Sequence, residues 1–202
     1  MIALVAIVLA ASPLQLAQRA EGFYKKTKDF SAHFEQTTAN AIFGPQKAAG
    51  VLEVKRPARM RWSYDKPVEK VLVIDGTRLT QYVPLDKRAQ VNEHFSPGAV
   101  GAGVSFLWGE GSLEKDFTLA AGALKNPPAG TEALELTPKK PAAYQRVVLA
   151  VDKDGRVLAS LLVDQTGNQD RLDFSDVKTN VGVPDARFKL VLPKDVAIET
   201  MR

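Results

Sequence analysis

Gly50-Val51-Leu52-Glu53-Val54-Lys55-Arg56-Pro57 and, after Ala58, Arg59-Met60-Arg61-Trp62-Ser63-Tyr64 form the stretch that decides the fold class. Leu52 and Val54 alternate with Glu53 and Lys55; Met60, Trp62 and Tyr64 alternate with Arg59, Arg61 and Ser63. A period of two belongs to a strand, whose successive side chains point to opposite faces. The stretch therefore predicts two strands of one sheet with a dry face on the even numbers and a charged face on the odd. Pro57, which has no N–H to give a ladder, suits the end of the first strand.

Working outward, the same alternation recurs on both sides. Upstream, Phe30, Ala32, Phe34 and Gln36 share a face. Downstream, strands are expected at 71–74 and 79–83, joined by Asp75-Gly76, a pair that supplies the positive φ of a tight hairpin. Further strands are expected at 134–137, 144–152, 157–164, 169–177 and 188–192, punctuated by Asp154-Gly155, Thr166-Gly167-Asn168 and Asn180 to Gly182. No long helical pattern separates them, so the sheet is expected to be an antiparallel meander. One helix is predicted at 13–27. Ser12 caps it, Pro13 takes the first turn, Gln15 completes a capping box, and Leu16, Ala20, Phe23 and Tyr24 repeat at helical spacing.

With 202 residues, 45% hydrophobic and 25% charged, the chain suits one well-buried domain over 12–202. Residues 1–11 are apolar and run into Ala10, Ala11 and Ser12, the pattern of a secretory signal segment or its remnant; an ordinary buried helix is the other reading. Cysteine is absent, which excludes disulfides, thiolate chemistry and lipid attachment through a cysteine of this chain. The net charge of +4 is spread among acidic residues rather than gathered in a block, so a solvated surface is expected and nucleic acid is not. In the middle, Val104, Ser105, Phe106, Leu107 and Trp108 form an apolar run between glycines. It reads either as a buried loop or strand, or as a hinged lid made by Val104, Phe106, Leu107 and Trp108 over an apolar cavity.

Catalytic patterns are missing. His33 and His94 lack a second ligand at metal spacing, so no metal is expected. Asp152-Lys153-Asp154-Gly155 resembles the start of a calcium loop, but Leu161 stands where its closing glutamate belongs. Gly98, Gly101 and Gly103 lack the Lys-Ser/Thr of a phosphate loop, and Ser105 lacks the second glycine of a nucleophile elbow. The expectation is a binding protein without cofactor, not an enzyme.

The 50–57 segment followed by Met60-Arg61-Trp62-Ser63-Tyr64 and Pro67 resembles the family of periplasmic outer-membrane lipoprotein carriers, LolA. So do Phe30-x-x-x-Phe34-x-Gln36, Val73-Ile74-Asp75-Gly76-x-x-Leu79 with Tyr82, and Phe188-x-Leu190-x-x-Pro193, which matches the family's last strand. The resemblance covers nearly the whole chain in the family's order; Met60, Thr80 and Gln81 stand where the family often has aromatics. It implies a mainly β fold with helices (α+β), a curved antiparallel unclosed half-barrel whose concave face is covered by helices. It further implies a periplasmic monomer in a Gram-negative bacterium. Its partners would be acylated lipoproteins, an inner-membrane lipoprotein-releasing transporter and an outer-membrane lipoprotein acceptor. The cavity would be lined by Phe34, Leu52, Val54, Met60, Trp62 and Tyr64. Arg56 would latch the closing helix by bonding its backbone carbonyls; the plainer reading is a rim arginine with its head in water. A same-fold binding protein for free lipid, a lipoprotein-sensing regulator, and an assembly protein whose apolar faces are merely core remain alternatives.

Overall fold

The computed structural model describes residues 10–40, 44–95 and 112–201. The expected lid residues Val104, Phe106, Leu107 and Trp108 lie outside the described residues, as do 1–9 of the expected signal segment. Helix α1 (Pro13–Lys26) is followed by strands β1 (Asp29–Asn40), β2 (Gly44–Lys55), β3 (Arg59–Lys66), β4 (Lys70–Asp75), β5 (Leu79–Val83) and β6 (Arg88–Asn92). After a short helix α2 (Leu113–Asp116) come β7 (Phe117–Ala121), β8 (Thr131–Pro138), β9 (Tyr144–Asp152), β10 (Val157–Asp164) and β11 (Gln169–Thr179). A 3-10 helix (Asp185–Phe188) and β12 (Ala197–Thr200) end the chain.

Among the described residues twelve strands join one sheet in the order β12-β6-β5-β4-β3-β2-β1-β11-β10-β9-β8-β7, with β12 and β7 at its two edges. Two antiparallel meanders, β1 to β6 and β7 to β11, abut where β1 pairs antiparallel with β11. The simple meander expected from the sequence is thus two meanders sharing a central seam. The last strand departs further, because β12 pairs parallel with β6.

The sheet is bent around one hydrophobic core. Ile74 of β4 and Leu134 and Leu136 of β8 are far apart in the strand order, yet they belong to the same buried cluster. Gly50 marks a bend in the stretch that decided the fold. The β2–β3 register shifts beside it, and a Cβ there would come within 2.0 Å of the Ser63 carbonyl oxygen, so only glycine fits.

The charged odd-numbered residues of that stretch are more than solvated surface. Glu53 accepts from Arg187 at 2.6 Å, Asp185 pairs with Lys55 at 2.5 Å and Arg59 at 2.8 Å, and Arg61 donates to the Arg187 carbonyl at 3.1 Å. These pairs rivet the 3-10 helix to the convex face. Beneath it Val71 and Val73 of β4 pack with Val183 and Phe188, so the sheet is dry on both sides there. The strand expected at 188–192 is therefore not formed. Phe188 is instead the buried anchor of the 3-10 segment, and β12 takes the place of last strand.

Helix α1 forms as its sequence predicts. The Ser12 hydroxyl accepts from the Gln15 N–H at 3.3 Å and the Gln15 side chain accepts from the Ser12 N–H at 2.8 Å, while Lys25 and Lys26 complement the dipole at the other end. Its buried stripe is Leu16, Ala17, Ala20 and Tyr24.

Candidate functional site

Strand register brings six sequence-predicted residues onto one face. Gly50 lies beside Phe34 on β1 and Tyr64 on β3, Leu52 beside Trp62, and Val54 beside Met60. Phe34, Leu52, Val54 and Met60 are at most 1% exposed; Trp62 and Tyr64 are half-buried against the same cluster. The aromatics pack tightly, with the Phe34 ring 4.8 Å from Trp62 and 5.0 Å from Tyr64, both edge-on. The Trp62 indole N–H points at the Met60 sulfur 3.0 Å away, which fixes an otherwise adaptable side chain.

Helix α1 lies on this side of the sheet, packed over β7 and β8, and its last-turn Tyr24 reaches Phe30 and Leu52. Between helix and sheet the apolar gap bounded by Tyr24, Phe30, Ala32, Leu52, Val157, Phe174 and Val177 measures about 10 Å³. That is roughly the space of one water. At this point helix and sheet are closely packed, and an apolar guest lying between Tyr24 and Leu52 must displace the helix.

The helix is held by polar ties along its length. At its start the Ala11 N–H donates to Glu132 at 2.7 Å, and Arg19 reaches the same carboxylate at 3.3 Å. In the middle the Leu113 N–H donates to Glu21 at 2.5 Å. Near its end the Val157 N–H donates to the Tyr24 hydroxyl at 3.3 Å, and Arg56 donates to the Lys25 carbonyl at 2.7 Å. Burial holds the Tyr24 phenol well above its ordinary range. The β9–β10 hairpin abuts the helix as well: a Cβ on Gly155 would stand 2.4 Å from the Arg19 carbonyl oxygen.

Sequence reasoning missed Glu132, Tyr24 as a hydrogen-bonding group, and the contact at Gly155. Each partner lies more than a hundred residues from the helix group it meets, and no local period encodes such a pairing. Among the described residues no three His, Cys, Asp or Glu side chains are grouped to hold a metal.

An unclosed, bent sheet whose apolar concave side carries, among the described residues, helix α1 and the buried Leu113 of α2, with α1 tied mainly by single hydrogen bonds, defines an open β half-barrel. Residues 25–191 match the family described as "Outer membrane lipoprotein carrier protein LolA". The outer-membrane lipoprotein carrier protein of Cupriavidus pinatubonensis is 32% identical over 189 residues, spanning 92% of this chain and 86% of that protein. Its counterpart from Chromobacterium violaceum is 30% identical over 191 residues, spanning 93% and 90%. An uncharacterized conserved protein from Thermus thermophilus has the same fold, with a TM-score of 0.59 at 15% identity over 93% of this chain and 98% of that one. The chain belongs to the LolA family, and its function is that of an outer-membrane lipoprotein carrier rather than an enzyme.

Proposed function

We propose that this carrier works in the periplasm of a Gram-negative bacterium, as a monomer, by laying the acyl chains of a lipoprotein along the concave face beneath α1. It receives them from an inner-membrane lipoprotein-releasing transporter and surrenders them to an outer-membrane acceptor. The observation that carries this reading is the apolar face of Phe34, Leu52, Val54, Met60 and Trp62 under a helix that noncovalent ties alone hold down. Arg56 is the latch of that roof: its guanidinium engages the last turn of α1 and is lost as a tie when the helix lifts.

Magnitudes favour exchange over permanent capture. An acyl chain of palmitoyl length gains about 12 kcal/mol on leaving water, at ~0.8 kcal/mol per CH₂. Lifting α1 exposes Leu16, Ala17, Ala20 and Tyr24, about 5–8 kcal/mol of apolar burial, and breaks several hydrogen bonds of roughly 1 kcal/mol each. For one chain the two sums are of one order, so lifting the helix offsets much of the gain of burying it.

The test is a two-step assay with inner membranes as donor and outer membranes as acceptor. Acylated lipoprotein should enter solution in a one-to-one complex with the carrier and then move to the acceptor, whereas the same polypeptide without acyl chains should not bind. Equal binding of the unacylated form would overturn the reading. Free lipid as the sole copurifying ligand would favour the same-fold lipid-binding alternative.

A further inference from the structure

The concave face is apolar along most of its length, but one end is not. On β1 the residues following Phe34 on this face are Gln36 and Thr38; on β11 the residue beyond Leu172 is Asp170; Tyr64 near the end of β3 pairs with Lys70 at the start of β4. Gln36 closes the Phe30-x-x-x-Phe34-x-Gln36 motif, of which Phe34 serves the apolar trough and Gln36 does not. Its amide nitrogen lies 2.9 Å from both oxygens of the Asp170 carboxylate, bridging β1 and β11. Tyr64 marks the boundary. Its ring packs on Phe34 and Trp62 of the trough, and the Lys70 ammonium lies 4.1 Å from its centroid.

Asp170 is poorly satisfied for a half-buried carboxylate. Burial raises its proton affinity, the Gln36 bond only partly opposes this, and among the described residues no cation pairs with it. A carboxylate has about four lone-pair positions, and here one neutral amide serves it. Burial and the nearby Asp170 also push the Tyr64 phenol up to about 12, so it remains an O–H donor at neutral pH. The pair lies between two grooves. One, of about 360 Å³, is lined by Gln36 and Tyr64 with Lys66 and Lys70; the other, of about 240 Å³, by Asp170 with Leu162.

We propose that Gln36, Asp170, Tyr64 and Lys70 form a polar subsite at the end of the apolar trough that receives the amide- and ester-bearing head of an N-acylated, diacylglyceryl-modified amino terminus. The assignment rests on the acyl-chain reading above. Chains lying on Leu52, Trp62 and Phe34 must end in a head whose polar atoms lose water, and unpaired burial of such atoms is costly. These four are polar groups that the face offers next to its aromatic floor. The amide N–H of the head donates to Asp170, while ester carbonyls accept from Lys70 and Tyr64. A fatty acid carboxylate or a phosphate would meet repulsion at Asp170, and a bare hydrocarbon would use none of the groups.

The experiment uses the full chain with three probes of equal chain length: a synthetic N-acyl, S-diacylglyceryl cysteine peptide, phosphatidylglycerol, and a fluorescent hydrocarbon. Asp170→Asn and Gln36→Leu should each weaken the lipopeptide about tenfold, the scale of one lost charge-assisted hydrogen bond, and leave the hydrocarbon within about twofold. Lys70→Gln, on the groove wall, should weaken the lipopeptide about threefold and keeps the test open should Asp170→Asn fail to fold. Unchanged lipopeptide affinity in the folded variants overturns the subsite, and so does equal loss for the hydrocarbon, which would make the pair a structural brace. Phosphatidylglycerol binding as tightly as the lipopeptide assigns the lysines to phosphate and also overturns it. A parent protein that binds the lipopeptide while the folded variants bind it equally well overturns the subsite alone; a parent that does not bind the lipopeptide overturns the acyl-chain reading with it.

Discussion

At the scale of single residues, Arg56 and Tyr24 divide the work of holding the roof. Arg56→Leu should fold and take up acylated lipoprotein as the parent does, but pass it on at least about tenfold more slowly, because the closed empty state that drives release has lost a charge-assisted bond. The two halves of the transfer assay, scored separately, check this; full transfer by the variant would remove the latch role. Tyr24 makes a different prediction. Its phenol stays protonated in the fold beyond its ordinary 10.0, whereas the unfolded chain ionises there. The unfolded state therefore releases its proton first, and stability should fall as pH rises past about 10. Tyr24→Phe should cost about 1 kcal/mol at pH 8, by leaving the Val157 N–H unpaired, and should lessen the alkaline loss. Thermal unfolding at pH 8 and 10.5 measures both effects. The sequence reveals the inward face of Leu52, Val54, Met60, Trp62 and Tyr64 because alternation encodes it; it does not reveal that the Trp62 indole caps the Met60 sulfur, since that depends on rotamers.

At the scale of elements, α1 and most hairpins are legible because their signals are local: a capping box, a helical repeat, and glycines where φ is positive, such as Gly76 and Gly155. The 3-10 helix and β12 escape that kind of reading. Phe188, Val183 and the Lys55–Asp185 and Glu53–Arg187 pairs form only when the tail is folded back across β2 and β4, and the exposed β12 carries no alternating burial to betray a strand. The β9–β10 hairpin shows how an expected turn acquires a second duty. Gly155→Ala would strain a backbone at φ +95 and press a methyl group into the Arg19 carbonyl. The expected cost is about 1–3 kcal/mol, with faster amide exchange throughout α1 and faster loading, because the displaced helix is the roof. Unchanged exchange in α1 would mean that the hairpin does not support it.

At the scale of the whole molecule, the proposed carrier role joins an open sheet to a helix that lifts. A closed barrel would have no edge through which a chain attached to a protein could enter, whereas among the described residues this sheet is unclosed and ends in β7 and β12. The fold class follows from strand alternation and turn residues. The central seam between β1 and β11 does not, because it pairs segments more than a hundred residues apart. The central claim is that lipoprotein acyl chains lie on the concave face beneath α1, and photo-crosslinking tests it most directly. A benzophenone amino acid placed at Leu52, which faces the trough, or at Glu53, which faces the convex side, is irradiated in the presence of acylated lipoprotein. The account predicts adducts to the acyl chains from position 52 and none from position 53; adducts from position 53 alone, or equally from both, would contradict it.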